Sequence, residues 1–293
     1  MNASPVFLRI RRTVIVVAGI VLLSGPSRVS DGAESPSPIA IPGEVHEMLG
    51  EGVVTALEPG APETARPLSD PLSVARWEPG EWTYQITSGA RRGTTLRETL
   101  APIDATRRSE TWKRTIGEDY TLYVSRTAEG SLVLASEFAH AHKALVYFDP
   151  PLSYLITALE PGGTRVVDGR MDVYRATNPD RKLYSGRIRA TTMHAGMYRI
   201  KTPAGTFSAT LIKTDYAIDI FAIVSVRDTL YTFYAEGIGK VAEAEHQRTS
   251  LMGPFHTNTQ IGKVLVSFPR IGGRSVLAES AEAGRGKTRG ARP

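Results

Sequence analysis

Cysteine is absent from the 293 residues. That excludes disulfides, thiolate metal sites, a thiol nucleophile and a lipidated N-terminal cysteine. A parallel doubly wound sheet is also excluded, because no alternation of strand and helix patterns runs along the chain. A Gly-x-Ser-x-Gly elbow is missing. His46–Glu47 opens like a zincin motif, but Gly50 stands where its second histidine belongs. A basic surface for nucleic acid is lacking as well. The formal charge is +5, from 35 Lys and Arg against 30 Asp and Glu. Residues 1–28 hold four of the basic residues and no acid; residues 269–293 hold six against two acids. The 25 basic and 28 acidic residues that remain give the middle a net charge of −3, so nucleic acid is not an expected partner.

Past the N-terminus no segment is long and apolar enough to span a bilayer as a helix. The N-terminus itself places Arg9, Arg11 and Arg12 before TVIVVAGIVLLSG. A positive region before a short apolar run is the pattern of a secretory signal. Residues 1–27 are therefore expected to be a signal peptide or anchor. The protein is expected in the periplasm or secreted, or held by an uncleaved N-terminal segment. Residues 28–79 read as a Pro/Gly-rich linker. Within it Val45, Met48, Leu49, Val53 and Leu57 recur at helical spacing, which predicts a short helix near 43–57. Residues 269–293, Gly- and Arg-rich without aromatics, read as a disordered basic tail.

What fills residues 80–268 is strand after strand. In EWTYQIT, Trp82, Tyr84 and Ile86 alternate with Thr83, Gln85 and Thr87; in DYTLYVSR, Tyr120, Leu122 and Val124 do the same. Period-two alternation means one packed face and one wet face. TPAGTF at 202–207 and EGIGK at 236–240 read as turns between strands. One helix is expected: Leu152, Leu155, Ile156 and Leu159 fall at i, i+3, i+4 and i+7 after Pro151, and Pro161 and Gly162 follow. A two-turn helix is marginal alone and needs an apolar surface to lie on. The expected fold is therefore mainly β, an antiparallel curved sheet or half-barrel wrapped around that helix.

Catalytic signals are thin. His140 and His142 would share one face of a strand, but two ligands do not make a metal site. Asp168, Asp172, Asp215 and Asp219 are spread among strands. The reading assigns no catalytic residue, metal or cofactor. It expects a ligand-binding surface between the helix and the sheet, with Leu152, Leu155, Leu159, Tyr198, Tyr231 and Phe233 as lining residues.

DPPLSYLITALEPGG, VVDGRMDVY, TPAGTF and YAEGIGKV together resemble periplasmic β-half-barrel domains of bacteria. These belong to domain-of-unknown-function families related in architecture to the outer-membrane lipoprotein carriers (LolA/LolB-like). The likeness covers roughly residues 80–247, and Glu236 departs from it, since that family segment usually reads Tyr-Ala-Pro-Gly-x-Gly-x-Val. The resemblance implies a sheet around one helix in the cell envelope, and in the carriers the concave face accepts acyl chains. The expected function is thus an exported, non-enzymatic binding or carrier module for a lipid or other apolar ligand. Two alternatives stand beside it. One is an envelope structural protein with a closed groove and a protein partner; the other is a hydrolase using paired carboxylates.

Overall fold

The computed structural model describes residues 39–57, 67–68, 70–104, 111–220, 224–251 and 256–269. The expected signal peptide, nearly all of the basic tail and parts of the expected linker lie outside them. Two helices, α1 (Gly43–Leu49) and α2 (Pro71–Ala75), and a short strand β1 (Val54–Ala56) precede the main sheet. Twelve strands follow: β2 (Gly80–Ile86), β3 (Thr95–Pro102), β4 (Thr111–Ile116), β5 (Tyr120–Arg126), β6 (Leu132–Ala139) and β7 (Ala144–Leu155), then β8 (Thr164–Arg175), β9 (Asn178–Thr202), β10 (Gly205–Ile220), β11 (Val224–Ala235), β12 (Gly239–Leu251) and β13 (His256–Ser267).

From β2 to β13 each strand pairs antiparallel with its chain neighbour, and β13 returns to pair with β2. The result is a closed, twelve-stranded, up-and-down barrel. This corrects the expected half-barrel. Closure satisfies the backbone groups that an open sheet leaves at its edges. β1 adds to β9 at Tyr198–Ile200, beyond the point where β8 has left it at Met193.

The expected helix at 152–159 is not formed. Leu152 and Leu155 lie in β7, opposite Leu134 and Leu132 of β6. Ile156–Gly163 then forms the turn into β8, and Leu159 makes an isolated bridge to Leu68. The leucines are buried as expected, at 1% for Leu152, 0% for Leu155 and 8% for Leu159. Strand and helix both bury such a set; pairing with β6 satisfies the backbone of 152–155, whereas two helical turns leave most of their end groups open. The turn readings agree with the structure. Residues 203–204 join β9 to β10, and residues 236–238 join β11 to β12. Gly239 has φ +93, and a Cβ there would come within 2.9 Å of the Ala75 carbonyl oxygen.

The helical periodicity near 43–57 yields a shorter helix, α1, ending at Gly50 (φ +106). Val45, Met48 and Leu49 are buried against β12 and β13. The approach is so close that Gly262 has no room for a Cβ, which would overlap the Met48 carbonyl oxygen. α2 is capped by the Asp70 side chain, which accepts from the Leu72 backbone N–H at 3.0 Å.

Residues 67–68 and 70–79 cross one end of the barrel. Leu68 bonds the β7–β8 turn at Leu159, Gly237 of the β11–β12 turn donates to the Ser73 carbonyl, and the Trp77 ring sits 6.0 Å from both Trp112 and Tyr154. The outer wall of β8–β11 carries the ion pairs Lys213–Asp215, Arg227–Asp219 and Arg189–Asp168. Such a wall suits water, because charged groups facing lipid are costly.

Candidate functional site in the barrel lumen

Eight strands can be filled by their own side chains; twelve enclose more space than that. Inside this barrel a cavity of about 210 Å³ is partly open to solvent. A single water needs only about 10–15 Å³ measured this way, so the space is large. Its two sides differ. One is apolar: Leu122, Leu134, Phe148, Leu152, Ile188, Ile212 and Ile218 from β5–β7, β9 and β10. The other carries Lys240, Glu243, Glu245, Lys263 and Tyr234.

The polar side grows from strand alternation. In β3, Leu96, Glu98 and Leu100 share the buried phase; in β4, Arg114 is the buried residue. Register across the sheet sets Glu243 opposite Thr232 on one side and Lys263 on the other, with Ile86 opposite Lys263. The result is a belt of four buried charges, Glu98, Arg114, Lys240 and Lys263, joined by the partly buried Glu243. Arg114 donates Nε (3.0 Å) and Nη2 (2.7 Å) to one Glu98 oxygen. The other Glu98 oxygen receives Lys263 Nζ at 2.8 Å and Lys240 Nζ at 2.9 Å. Both lysines also reach Glu243, at 2.7 Å and 2.9 Å. Arg114 Nη1 continues to the Tyr154 hydroxyl at 3.1 Å, and both ammonium groups lie over the Tyr84 ring.

Burial opposes these charges and pairing restores them. Desolvation raises the pKa of Glu98, but Lys240, Lys263 and Arg114 together hold it well below the ordinary range. Glu243 is likewise opposed by burial and brought down by the two lysines to about 2. Lys240 falls to about 8, because burial outweighs its two carboxylate partners. Burial, and after it Glu245 of β12, pushes Glu137 of β6 up to about 7. Tyr216, on the cavity surface, is raised chiefly by burial and next by Asp228.

The sequence-derived lining residues separate into two groups. Leu152 faces the cavity, while Leu155 and Leu159 belong to the apolar cluster around it. Tyr231 and Phe233 alternate with Leu230, Thr232 and Tyr234, which face the cavity; they therefore point to the outer wall. Tyr198 packs edge-on against Phe233 at 5.9 Å and donates its hydroxyl to the Ile39 carbonyl at 2.5 Å. These three share an apolar cluster with Val45, Met48 and Leu49 of α1. Glu98, Arg114, Lys240, Glu243, Lys263 and Glu137 were not anticipated. The available signal was a charged residue in phase with apolar ones, as in Leu96–Glu98–Leu100. His140 and His142 form a 3-10 turn rather than a strand, and His140 Nε2 contacts Thr121 Oγ1 at 2.8 Å. Among the described residues no cluster of three metal-ligating side chains occurs.

No protein-family model matches the chain, and no curated protein does. Two solved structures are similar to it. One is a chain from Parabacteroides distasonis assigned as a lipoprotein, 11% identical, with a TM-score of 0.31; the match covers 66% of this chain and 95% of that one. The other is a chain from Bacteroides fragilis assigned as an exported protein with a YmcC-like fold. It is 14% identical, has a TM-score of 0.33 and covers 70% of this chain and 100% of that one.

Proposed function

We propose that this is an exported cell-envelope protein whose barrel lumen holds an apolar or amphiphilic ligand without transforming it. The observation that carries the reading is the cavity itself: about 210 Å³ bounded by a mainly apolar side and a polar one. Ligand sites are mostly apolar with a few placed polar groups, and this lumen has that composition. A barrel serving only as a structural block would gain by filling the space, since each buried void forfeits packing. Export rests on Arg9, Arg11 and Arg12 before the apolar run that ends near Gly25.

Native mass spectrometry of protein gently extracted from its own envelope tests the binding reading. Bound lipid or fatty acid is the expected result, and Leu134→Trp, which fills the apolar side, should reduce its occupancy while the fold is kept. Protein that is empty on extraction and takes up nothing on titration with lipids would end the proposal. Fractionation of cells with mass measurement of the mature chain tests export separately.

One observation favours a second reading. Glu137, raised to about 7, lies near Glu245 in an open cavity, and a protonated acid near a second carboxylate is the arrangement of acid–base hydrolysis. That reading requires turnover of a glycoside or ester substrate that Glu137→Gln abolishes. The binding reading requires Glu137→Gln protein to keep its ligand.

A further inference from the structure

We propose that the ligand of the lumen is a neutral amphiphile whose head presents ester or hydroxyl oxygens to the threonine hydroxyls of β9–β11, at Thr192, Thr214 and Thr232. The proposal rests on the binding reading above and names the chemistry of the ligand's polar end. Three observations lead to it.

The first is register. Thr192 of β9 stands directly opposite Thr214 of β10, and His194 opposite Ile212, which in turn stands opposite Thr232 of β11. Directly opposite residues share a face, with Cβ atoms about 5 Å apart. Thr214, Ile212 and Thr232 line the cavity, so Thr192 and His194 point to the lumen side with them. The second is hydrogen bonding. Thr192 is 1% exposed and His194 0%, yet Thr192 Oγ1 and His194 Nε2 have no hydrogen-bond partner among the described residues. The Leu159 carbonyl oxygen lies 3.0 Å from His194 Nδ1 and can only accept, so Nδ1 carries the proton and Nε2 is left as an acceptor. A buried polar atom without a partner is costly, and folded proteins keep few of them. Here a hydroxyl, which both donates and accepts, and a bare ring nitrogen sit two residues apart on one strand face beside the cavity. Ester and hydroxyl oxygens complement that pair; a plain hydrocarbon does not.

The third concerns the charges. Lys240 and Lys263 each hold both Glu98 and Glu243. Asp228 and Glu245, also on the cavity, engage partners of their own. With Glu137 included, the cavity wall carries four carboxyl groups against two ammonium groups. An anionic head would enter this acidic excess. A cationic head would have to compete with lysines already in place. A neutral head loses its water without either conflict, provided its oxygens find hydrogen bonds. The threonine hydroxyls supply them. The belt bounds their seat, since Glu243 stands opposite Thr232. The apolar side of the cavity, Leu122 to Ile218, then receives the chain.

The test is titration calorimetry of the full-length protein, stripped of endogenous ligand, with three probes of one chain length: decanoylglycerol, decanoate and decylammonium. Decanoylglycerol should bind roughly tenfold more tightly than either ion. Thr214→Val and Thr232→Val keep the side-chain shape and suit a strand. Each should weaken decanoylglycerol roughly threefold to tenfold, the worth of one neutral hydrogen bond. Thr192→Val should do the same while raising the urea midpoint, because it removes a buried hydroxyl without a partner. Tighter binding of decanoate or decylammonium, or equal binding of all three probes, overturns the head-group assignment while the lumen remains a ligand site. Full decanoylglycerol affinity in the valine variants, or a lower urea midpoint for Thr192→Val, overturns the threonine seat. No binding of any probe overturns the seat and the binding reading together.

Discussion

On one side of the lumen Leu122, Leu134, Phe148, Leu152, Ile188, Ile212 and Ile218 meet the cavity with hydrocarbon; on the other, Glu98, Arg114, Lys240 and Lys263 are buried charges joined by the partly buried Glu243. The first side needs only contact, at about 25 cal/mol per Å² of apolar surface removed from water. The second needs every partner. A buried ion pair is weak evidence for stability, because well-packed apolar groups of the same volume often do as well or better. The belt's presence in a barrel that has a working apolar side therefore points to a requirement other than stability. Specificity for a polar group is such a requirement, because a buried donor left unpaired discriminates more sharply than a missing methylene.

The comparison breaks most visibly at Glu98. Glu98→Gln removes the carboxylate that Arg114, Lys240 and Lys263 share and leaves three buried cations around one acid. A loss of about 3–5 kcal/mol is expected in urea unfolding. A loss below ~1 kcal/mol would mean that water reaches the belt and that its charges are not desolvated. On the apolar side the corresponding change is smaller and graded by position. Leu155→Ala, in closed packing, should cost about 3 kcal/mol. Leu152→Ala, which already faces the cavity, should cost nearer ~2 kcal/mol, because fewer contacts are lost. Equal costs at the two positions would show that the cavity is not open beside Leu152.

Much of this fold was legible in the chain, and the exceptions are instructive. Alternation located β2 and β5, and the turns at 203–204 and 236–238 separated β9 from β10 and β11 from β12. Closure was not legible, since the pairing of β13 with β2 joins segments about 180 residues apart and leaves no local pattern. The leucines of 152–159 matched a helical stripe, yet Leu152 and Leu155 were also in register with β6. Burial was readable there and the element type was not. Of the expected lining residues, Leu152 borders the lumen. Tyr231 and Phe233 lie on the outer wall, where they share an apolar cluster with α1, so both phases of β11 are buried at that point and burial alone does not tell the two faces apart. The belt was missed because a lone Glu or Arg in a strand reads as surface. Only its phase, with Leu96 and Leu100 around Glu98, marks it as buried.

The smallest expected effect separates the two sides by the sign of their pH dependence. Glu243 has a folded pKa near 2, below its unfolded value. Its contribution is present above about pH 4.5 and is lost as pH falls toward 2. Glu137 behaves oppositely. Its folded pKa of about 7 exceeds the unfolded one, so the folded state binds the proton more tightly. The stability it contributes is full below about pH 4.5 and is lost as pH rises through 7. Glu137→Gln keeps the neutral form at every pH. The variant should match the parent near pH 4.5 and exceed it by about 2 kcal/mol at pH 8, less than the ~3 kcal/mol that the full displacement from 4.5 to about 7 would give, because the side chain borders the open cavity. Urea melts at pH 4.5, 6 and 8 measure this. If the two proteins keep the same difference across that range, the Glu137 carboxyl is solvated, and the charged and apolar sides of the lumen do not meet at that residue.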